Sequence, residues 1–168
     1  VVDGKVQTDL DRFASDILEA ASQGKHFLFR SAASLLTALA QLPPQPVAAE
    51  SMSKYVRSAK PGAVIVGSHV KKTTEQLEKL LQAEGTAAIA IDVARLLDDP
   101  VATTPILLSE TLAKVEAAHN SGQTAVVFTS RHELTFKDVQ TRLAFGQAVS
   151  ALLMDVVRGL PADIGFLI

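Results

Sequence analysis

The chain alternates short apolar segments with longer segments of helical periodicity, and this alternation limits the folds open to it. Four apolar segments in the second part of the chain are typical of buried strands, namely residues 63–66, 87–93, 124–128 and 164–168. Apolar residues at helical spacing fill the intervals between them. Strands connected in this way lie parallel in a sheet that helices cover. The sequence therefore predicts an α/β fold with a mainly parallel sheet and helices on both faces, in three layers.

Two of the intervening helices have sequence signals at their beginnings. Thr104 can cap a helix that has Pro105 at its first position. Thr135 and Asp138 form a pair like a capping box before the longest helix, which we expect at about residues 137–158. The apolar residues of that helix predict its buried face, which consists of Val139, Leu143, Val149, Leu152, Leu153, Val156 and Val157.

The first part of the chain has the same rhythm on a smaller scale. A helix capped by Thr8 is expected to end at Gly24, and residues 25–29 are a predicted strand. A helix of small residues follows at about 32–42, until the proline-rich residues 43–46 stop it. The segment from 47 to 62 has no strong period and is the candidate for a linker or domain boundary.

Composition excludes several classes of function. Of the 168 residues, 48% are hydrophobic and 20% are charged, which is enough for a buried core. The net charge of −2 argues against nucleic acid as a partner, and the absence of cysteine removes disulfide and thiolate chemistry. The chain opens without a basic-then-apolar leader and has no apolar run long enough to span a bilayer. We therefore expect a cytoplasmic protein with no membrane partner.

The residues that leave the predicted strands are the candidates for ligand binding. In open α/β sheets, ligands bind beyond the carboxyl ends of the strands. The exit residues there are Arg30-Ser31, Gly67-Ser68-His69, Asp92 and Thr129-Ser130-Arg131. Two arginines, several hydroxyls, a histidine and a glycine suit an anionic, hydroxyl-bearing ligand such as a phosphorylated one.

Residues 63–77 are the most informative of these stretches. They combine a predicted strand, a turn at Gly67 and a helix that begins near Thr73 and runs to about residue 84. A helix N-terminus offers free N–H groups and roughly half a positive charge, which favours phosphate. Lys71 and Lys72 add positive charge. We take this segment as the ligand-facing loop.

Each candidate residue also has a structural interpretation. Gly67 can simply turn the chain, and Ser68 can cap that turn. The remaining alternatives are a hydrogen-bonded turn histidine at His69, solvated lysines at Lys71 and Lys72, and ion pairs with nearby carboxylates for Arg30 and Arg131. Metal-ligand spacing is absent, as are the Walker A, GxGxxG and GxSxG patterns. The loop cannot surround a triphosphate by itself, so a nucleotide site would need further groups.

Several stretches also carry a family resemblance. Residues 29–35 (FRSAASL) and 64–77 (VIVGSHVKKTTEQL), with the helix around 143–148 and the closing residues 164–168, follow one another in the order of the four-carbon acid sugar kinase family. That family was formerly a domain of unknown function labelled Hrp-dependent type III effector. The resemblance covers nearly the whole chain, and its most specific part is the GSHV-K-TT-QL stretch.

The resemblance implies a two-domain kinase with a nucleotide-binding-domain-like second domain. Residues 1–47 would be the end of a sugar-acid-binding domain, 48–61 a linker, and 62–168 the first half of the C-terminal nucleotide-binding domain. The partners implied are ATP and a threonate, erythronate or oxo-tetronate, whose terminal hydroxyl receives the phosphoryl group. Mg²⁺ is implied too, at a site that these residues do not show, and a homodimer is an assembly the resemblance allows.

The same resemblance assigns roles to individual residues. Ser68, in the matching GS turn, is implied to bind ATP. Gly67, His69, Ser130 and Arg131 complete the cofactor-binding set, and substrate binding is assigned to Arg30; no metal ligand and no catalytic residue is assigned.

The chain departs from the family pattern in what it lacks. The acidic DDxTG-type motif, the DSR-like motif and the substrate-binding lysine region are absent, and the lysine-glycine-glycine motif would follow residue 168. We therefore expect these residues to be a middle portion of the family's length that does not catalyse phosphoryl transfer alone. Two alternatives stay open, a non-catalytic α/β module that binds a small anion or acts as an effector, and a purely structural core.

Overall fold

The computed structural model describes residues 4–43, 47–132 and 134–168. The chain divides into two compact units, Val1–Ser51 and Met52–Ile168, each of which is considered by itself below. Of the proline-rich segment 43–46, only residue 43 is described. Within the described residues, every helix falls short of the length and apolar character that a membrane crossing requires.

The first unit is built on two helices, α1 (Gln7–Ser22) and α2 (Ala33–Leu39). Their contact buries four apolar side chains, those of Ala14, Ile17, Leu35 and Ala38. Thr8 is not the cap, because the N-cap position is Val6, two residues earlier, and α1 begins at Gln7. The Asp9 carboxylate instead accepts hydrogen bonds from the backbone N–H groups of Lys5 and Val6, which lower the pKa of Asp9.

The predicted strand at 25–29 is wrong. These residues are irregular. Leu28 is fully exposed, Phe27 is 45% exposed and Phe29 is 41% exposed. The rings of the two phenylalanines stack on each other at a centroid distance of 6.1 Å. A strand needs the N–H and C=O groups of a neighbouring strand, and the described part of this unit contains none.

The second unit contains a three-stranded parallel sheet. Its strands are β1 (Ala63–Val66), β2 (Thr86–Ile91) and β3 (Thr124–Thr129), in the spatial order β1-β3-β2. In the register, Ala63 of β1 and Ala87 of β2 both lie beside Ala125 of β3. Helices α3 (Lys71–Leu80), α4 (Pro100–Asn120) and α5 (Val139–Arg158) flank the sheet. The prediction of an α/β fold with a parallel sheet is confirmed.

The core lies on one face of this sheet. Alternate side chains of the three strands pack against α4 and α5; the buried members of this cluster are Ala63, Ile89, Ile91, Val93, Leu96, Leu107, Val115, Ala118, Ala125, Val127, Leu152 and Val156. Val126, which points to the opposite face, and Leu77 of α3 are buried outside the cluster. On that opposite face Ala88 and Ala90 are exposed. Three short 3₁₀ helices complete the described structure, Ala49–Tyr55, Arg57–Ala59 and Val93–Leu96.

The closing residues pair with the outer side of β1. Ala63 N–H donates to the carbonyl of Phe166 at 2.9 Å, and Ile168 N–H donates to the carbonyl of Ala63 at 3.0 Å. The predicted last strand at 164–168 is therefore a short parallel extension with one bridge, between Ala63 and Leu167. Arg57 fixes it from the side, since its guanidinium donates to the carbonyls of Ala162 and Ile164.

Helix α4 begins five residues before the predicted position, at Pro100 and not at Pro105. The Asp99 carboxylate accepts hydrogen bonds from the N–H groups of Val101 and Ala102, both at 3.0 Å, and Pro100 occupies the first helical position. Pro105 lies inside the helix, where it removes the hydrogen bond to the carbonyl of Val101. Val101 is 85% exposed, so water can reach this side of the helix.

The beginning of α5 also differs from the prediction. Asp138 caps the helix alone, by accepting a hydrogen bond from the N–H of Thr141 at 2.7 Å. Leu152 and Val156 are buried as predicted, whereas Val139 and Leu143 are 61% and 53% exposed. The apolar stripe of the sequence thus extends past the part of the helix that packs on the core.

We predict that Asp99→Ala lowers the free energy of unfolding by about 1 kcal/mol, because two N–H groups of α4 lose their acceptor. The neighbouring Asp98 is exposed and caps nothing in the described structure, so Asp98→Ala is the matched control and should stay within about 0.5 kcal/mol of wild type. Urea unfolding followed by far-UV circular dichroism measures both. Equal effects of the two variants would contradict the assigned cap.

A larger effect is expected at Gly165. A Cβ atom there would lie 2.0 Å from the carbonyl oxygen of Lys60, so the closing segment would have to move away. That movement would break the hydrogen bonds that Gly165 makes with Arg57 and Pro61. We predict that Gly165→Ala lowers the free energy of unfolding by about 3 kcal/mol.

The control for this variant is Gly146→Ala in α5. A Cβ atom at Gly146 would meet nothing within 4 Å, and alanine is the better helix former, so this variant should gain up to about 1 kcal/mol. Both are measured by the same urea titration. A Gly165→Ala protein as stable as wild type would show that the closing segment is not held against residues 57–63.

Candidate functional site

Three chain segments leave the sheet of the second unit at the same edge. Because the strands are parallel, residues 67–69 after β1, Asp92 after β2 and residues 130–131 after β3 all follow carboxyl ends. The N–H of Ser130 donates to the carbonyl of Ile91 at 2.9 Å, which holds the exits of β3 and β2 together. The edge that the sequence predicted for ligand binding therefore exists in this unit.

A cavity of about 750 Å³ opens at this edge. Its lining residues come from the exits of β1, β2 and β3, from the segment before α5 and from α5 itself; they are Gly67, His69, Val93, Arg131, His132, Leu134, Phe136, Arg142, Phe145, Gly146, Val149, Ser150 and Leu153. Basic groups and apolar side chains thus face one space. Cavities of this kind, largely apolar with a few polar groups, are typical of small-ligand sites.

Arg131 is a lining residue whose hydrogen bonding is incomplete in the described structure. Its Nη2 donates to the Thr74 hydroxyl of α3 at 2.6 Å. Its Nε and Nη1 are buried, and neither has a hydrogen-bond partner among the described residues. The alternative of a carboxylate partner finds no support in the described part of the chain, where all the ion pairs involve other residues. A buried, permanently charged guanidinium with free donors is costly unless an anion completes it.

His69 lies beside Arg131 in the lining of the cavity. Its Nε2 is 3.4 Å from the hydroxyl of Thr129, which is fully buried at the end of β3. This contact joins the exits of β1 and β3. The imidazole can therefore be held by a structural hydrogen bond and still present its remaining ring atoms to a ligand.

The other residues at this edge have different positions. Gly67 lines the cavity, and a Cβ atom there would lie 2.9 Å from Leu153, so its lack of a side chain allows α5 to approach. Ser68 is exposed beside the cavity and accepts a hydrogen bond from Val70 N–H at 3.4 Å. Ser130 is partly buried and is not in the lining.

The two lysines of the loop lie at the beginning of α3. Lys71 is 91% exposed, at 3.9 Å from the Glu75 carboxylate, and Lys72 is exposed. The helix begins at Lys71, two residues before the predicted Thr73. These positions place positive charge near the exit of β1 without contact with the cavity lining.

Several residues that line the cavity were not predicted as site residues from the sequence. The rings of Phe136 and Phe145 are in contact at a centroid distance of 5.2 Å, and Arg142 lies one turn before Phe145 on α5. The available signal was the spacing 142, 145, 149, 153, which places these residues on one helix face. Its meaning depends on where α5 passes relative to the sheet, which spacing does not give.

Arg30 lies in the first unit. It lines a separate cavity of about 440 Å³ with residues of α1, of the irregular segment and of α2. It is exposed and has no hydrogen bond or ion pair among those found in the described residues. Its assignment to a substrate stays a prediction.

The described residues do not offer a metal site. They contain no group of three or more histidine, cysteine or acidic side chains placed to hold an ion. Asp92, the carboxylate at the exit of β2, is used as a cap and accepts a hydrogen bond from Ala94 N–H at 3.2 Å. Mg²⁺ binds through one or two carboxylates together with substrate phosphates, so a Mg²⁺ site made by these residues alone does not fit.

A second cavity, of about 630 Å³, has paired charges instead. Asp163 of the closing segment contacts Lys60 at 3.2 Å and His119 Nε2 at 2.9 Å. The hydrogen bond with Lys60 and the charge of His119 lower the pKa of Asp163. The Asp163 carboxylate is thus paired on both sides, and these contacts tie the closing segment to Lys60 and to α4.

Comparison with known proteins agrees with the geometry of the second unit. A search of curated proteins found no match to this chain. Among protein families, the model of the nucleotide-binding C-terminal domain matches residues 63–168, which contain the whole sheet and the cavity at its carboxyl edge. Because this match covers well over half of its length, the chain belongs to the nucleotide-binding C-terminal domain family.

Proposed function

We propose that this chain binds ATP at the carboxyl edge of its sheet and is the nucleotide-binding part of a kinase that phosphorylates the terminal hydroxyl of a four-carbon sugar acid. The observation that carries the proposal is the guanidinium of Arg131 in the lining of the cavity, where two buried nitrogens have no hydrogen-bond partner among the described residues. The family match makes a nucleotide the anion of choice.

The phosphates are expected at the end of the cavity where β1 and β3 leave the sheet. There, Arg131 supplies N–H donors in a fork that fits two phosphate oxygens, and His69 supplies a ring nitrogen. Both nitrogens are shielded from solvent, so we expect the side chain or its surroundings to move before a phosphate can reach them. The N-terminus of α3 and its two lysines add positive potential nearby.

Ser68 is proposed as a further ATP contact. Its hydroxyl is exposed next to the cavity and accepts a long hydrogen bond from Val70 N–H, so its own hydrogen can be donated to a phosphate oxygen. The support for this role is the matching GS turn of the resembling family together with the position of the turn at the edge of the sheet.

The kinase activity and the sugar-acid substrate are proposed from the resemblance of residues 29–35 and 64–77 to four-carbon acid sugar kinases. The matched domain also occurs in those kinases. Phosphoryl transfer proceeds in line and depends mainly on positioning and charge neutralisation. This chain would supply positive charge to the phosphates through Arg131. Mg²⁺, if it enters bound to ATP, would neutralise further phosphate charge. The described residues contain no candidate for a group that holds the substrate hydroxyl, and none for a catalytic base.

The first test is the affinity of the chain for ATP, measured by isothermal titration calorimetry in the presence of Mg²⁺. We predict that Arg131→Gln raises the Kd for ATP at least about 10-fold, because charge-assisted hydrogen bonds to phosphate are lost. The melting temperature should stay equal or rise, since an unpaired buried charge is removed.

The matched control is Arg158→Gln, because the Arg158 side chain is 71% exposed, pairs with Asp155 and is not among the lining residues of the cavity. It removes the same charge from the unit and should leave the Kd for ATP within about twofold of wild type. Equal ATP affinity of the wild-type and Arg131→Gln proteins would remove Arg131 from the site.

The second test is the activity of the full-length protein with ATP and a panel of threonates, erythronates and oxo-tetronates, followed by ADP release. We expect turnover with at least one sugar acid and an increase in the KM for ATP in Ser68→Ala. Absence of ADP formation with every sugar acid would contradict the kinase assignment. Tight binding of a sugar acid without ATP would favour the alternative of a small-anion sensor.

A further inference from the structure

We infer that the face of α5 that lines the cavity, together with Phe136, is the surface that holds the nucleobase. The inference rests on the proposed function, because it divides one nucleotide between the two ends of the cavity. The cavity-lining residues of α5 are Arg142, Phe145, Gly146, Val149, Ser150 and Leu153. They recur at intervals of three and four residues, so they form one continuous stripe along the helix.

The two ends of the cavity differ in chemistry in the same way as the two ends of a nucleotide. Arg131 and His69 lie at the exits of β3 and β1, where an anion is favoured. Phe136 and Phe145, near the beginning of α5, form an apolar wall. An aromatic base has two apolar π faces and a polar rim, and it fits such a wall better than phosphate does.

The phenylalanine pair is suited to stacking. Phe136 and Phe145 touch each other with an angle of 47° between the ring planes, and both remain partly exposed although they contribute to the cavity lining. A base that covers the exposed ring surface would bury apolar area that is now in contact with water. Ring stacking of this kind tolerates any base, because every base has a π face.

Gly146 provides an independent observation. It lies in the interior of α5, where glycine is less stable than alanine by up to about 1 kcal/mol. The described structure gives no packing reason for it, since a Cβ atom there would meet nothing within 4 Å. The missing side chain leaves open space between Phe145 and Val149, where a flat group can lie against the helix backbone. Arg142 and Ser150, on either side, offer donors to the rim of a base.

The experiment compares ATP with inorganic tripolyphosphate, which has the phosphates without the base. Calorimetry with Mg²⁺ gives the Kd of both for the wild-type chain, for Gly146→Leu, which fills the open space, and for Phe145→Leu, which removes the stacking ring. We expect both variants to raise the Kd for ATP about 10-fold and to change the Kd for tripolyphosphate less than about twofold.

The control variant is Ala144→Leu, which adds the same side chain to an exposed position of α5 outside the cavity lining and should change neither Kd. Unchanged ATP affinity in both test variants, or equal losses for ATP and tripolyphosphate, would overturn the nucleobase assignment and leave the proposed function standing. A wild-type chain that binds neither compound would overturn the proposed function and this inference together.

Discussion

The parallel pairing of β1 and β3 is the constraint on which the second unit depends. Four consecutive residues of each strand are in register, from Ala63 beside Ala125 to Val66 beside Phe128. Parallel strands start and end at the same edges of a sheet, so this pairing decides where the connecting segments meet. It brings His69 within 3.4 Å of the Thr129 hydroxyl, although the two residues are 60 positions apart in the sequence.

The two edges of the sheet differ in how their charged groups are paired. At the amino edge, Asp163 is paired with Lys60 and His119, and the closing segment is held against residues 57–63. Charges there are satisfied and serve the fold. At the carboxyl edge, Arg131 keeps two buried nitrogens without a partner in the described structure. Such a cost in free energy is tolerated where a ligand removes it, so the position of this group supports the proposal that the carboxyl edge binds the ligand.

Local sequence signals were sufficient where the core decides the structure. The strand around Val126 and Val127 was predicted because such a run is stable only when buried, and both residues are fully buried. The strand prediction at 25–29 was wrong because an equally apolar run, Phe27 to Phe29, has no strand to pair with among the described residues of its unit. The beginning of α4 was predicted at the wrong residue because the sequence contains two possible caps that are each followed by a proline, Asp99 and Thr104. Only the hydrogen bonds of Asp99 distinguish them.

The candidate site was predictable in part for the same physical reasons. Gly67, His69 and Arg131 follow strand ends, and the rule for parallel sheets is enough to place them at one edge. Phe145 and Gly146 could not be found in this way, because their role depends on the path of α5 over that edge. Even the burial of α5 was only partly predictable, since Leu143 belongs to the apolar stripe and is 53% exposed.

The central claim is that the carboxyl edge of the sheet binds the nucleotide through Arg131. The most direct test is a crystal structure of the chain with a non-hydrolysable ATP analogue. We expect phosphate oxygens within hydrogen-bond distance of Arg131 Nε or Nη1, in the cavity between β1, β3 and α5. A nucleotide bound at the opposite edge, beside Lys60 and His119, with Arg131 unchanged, would contradict it.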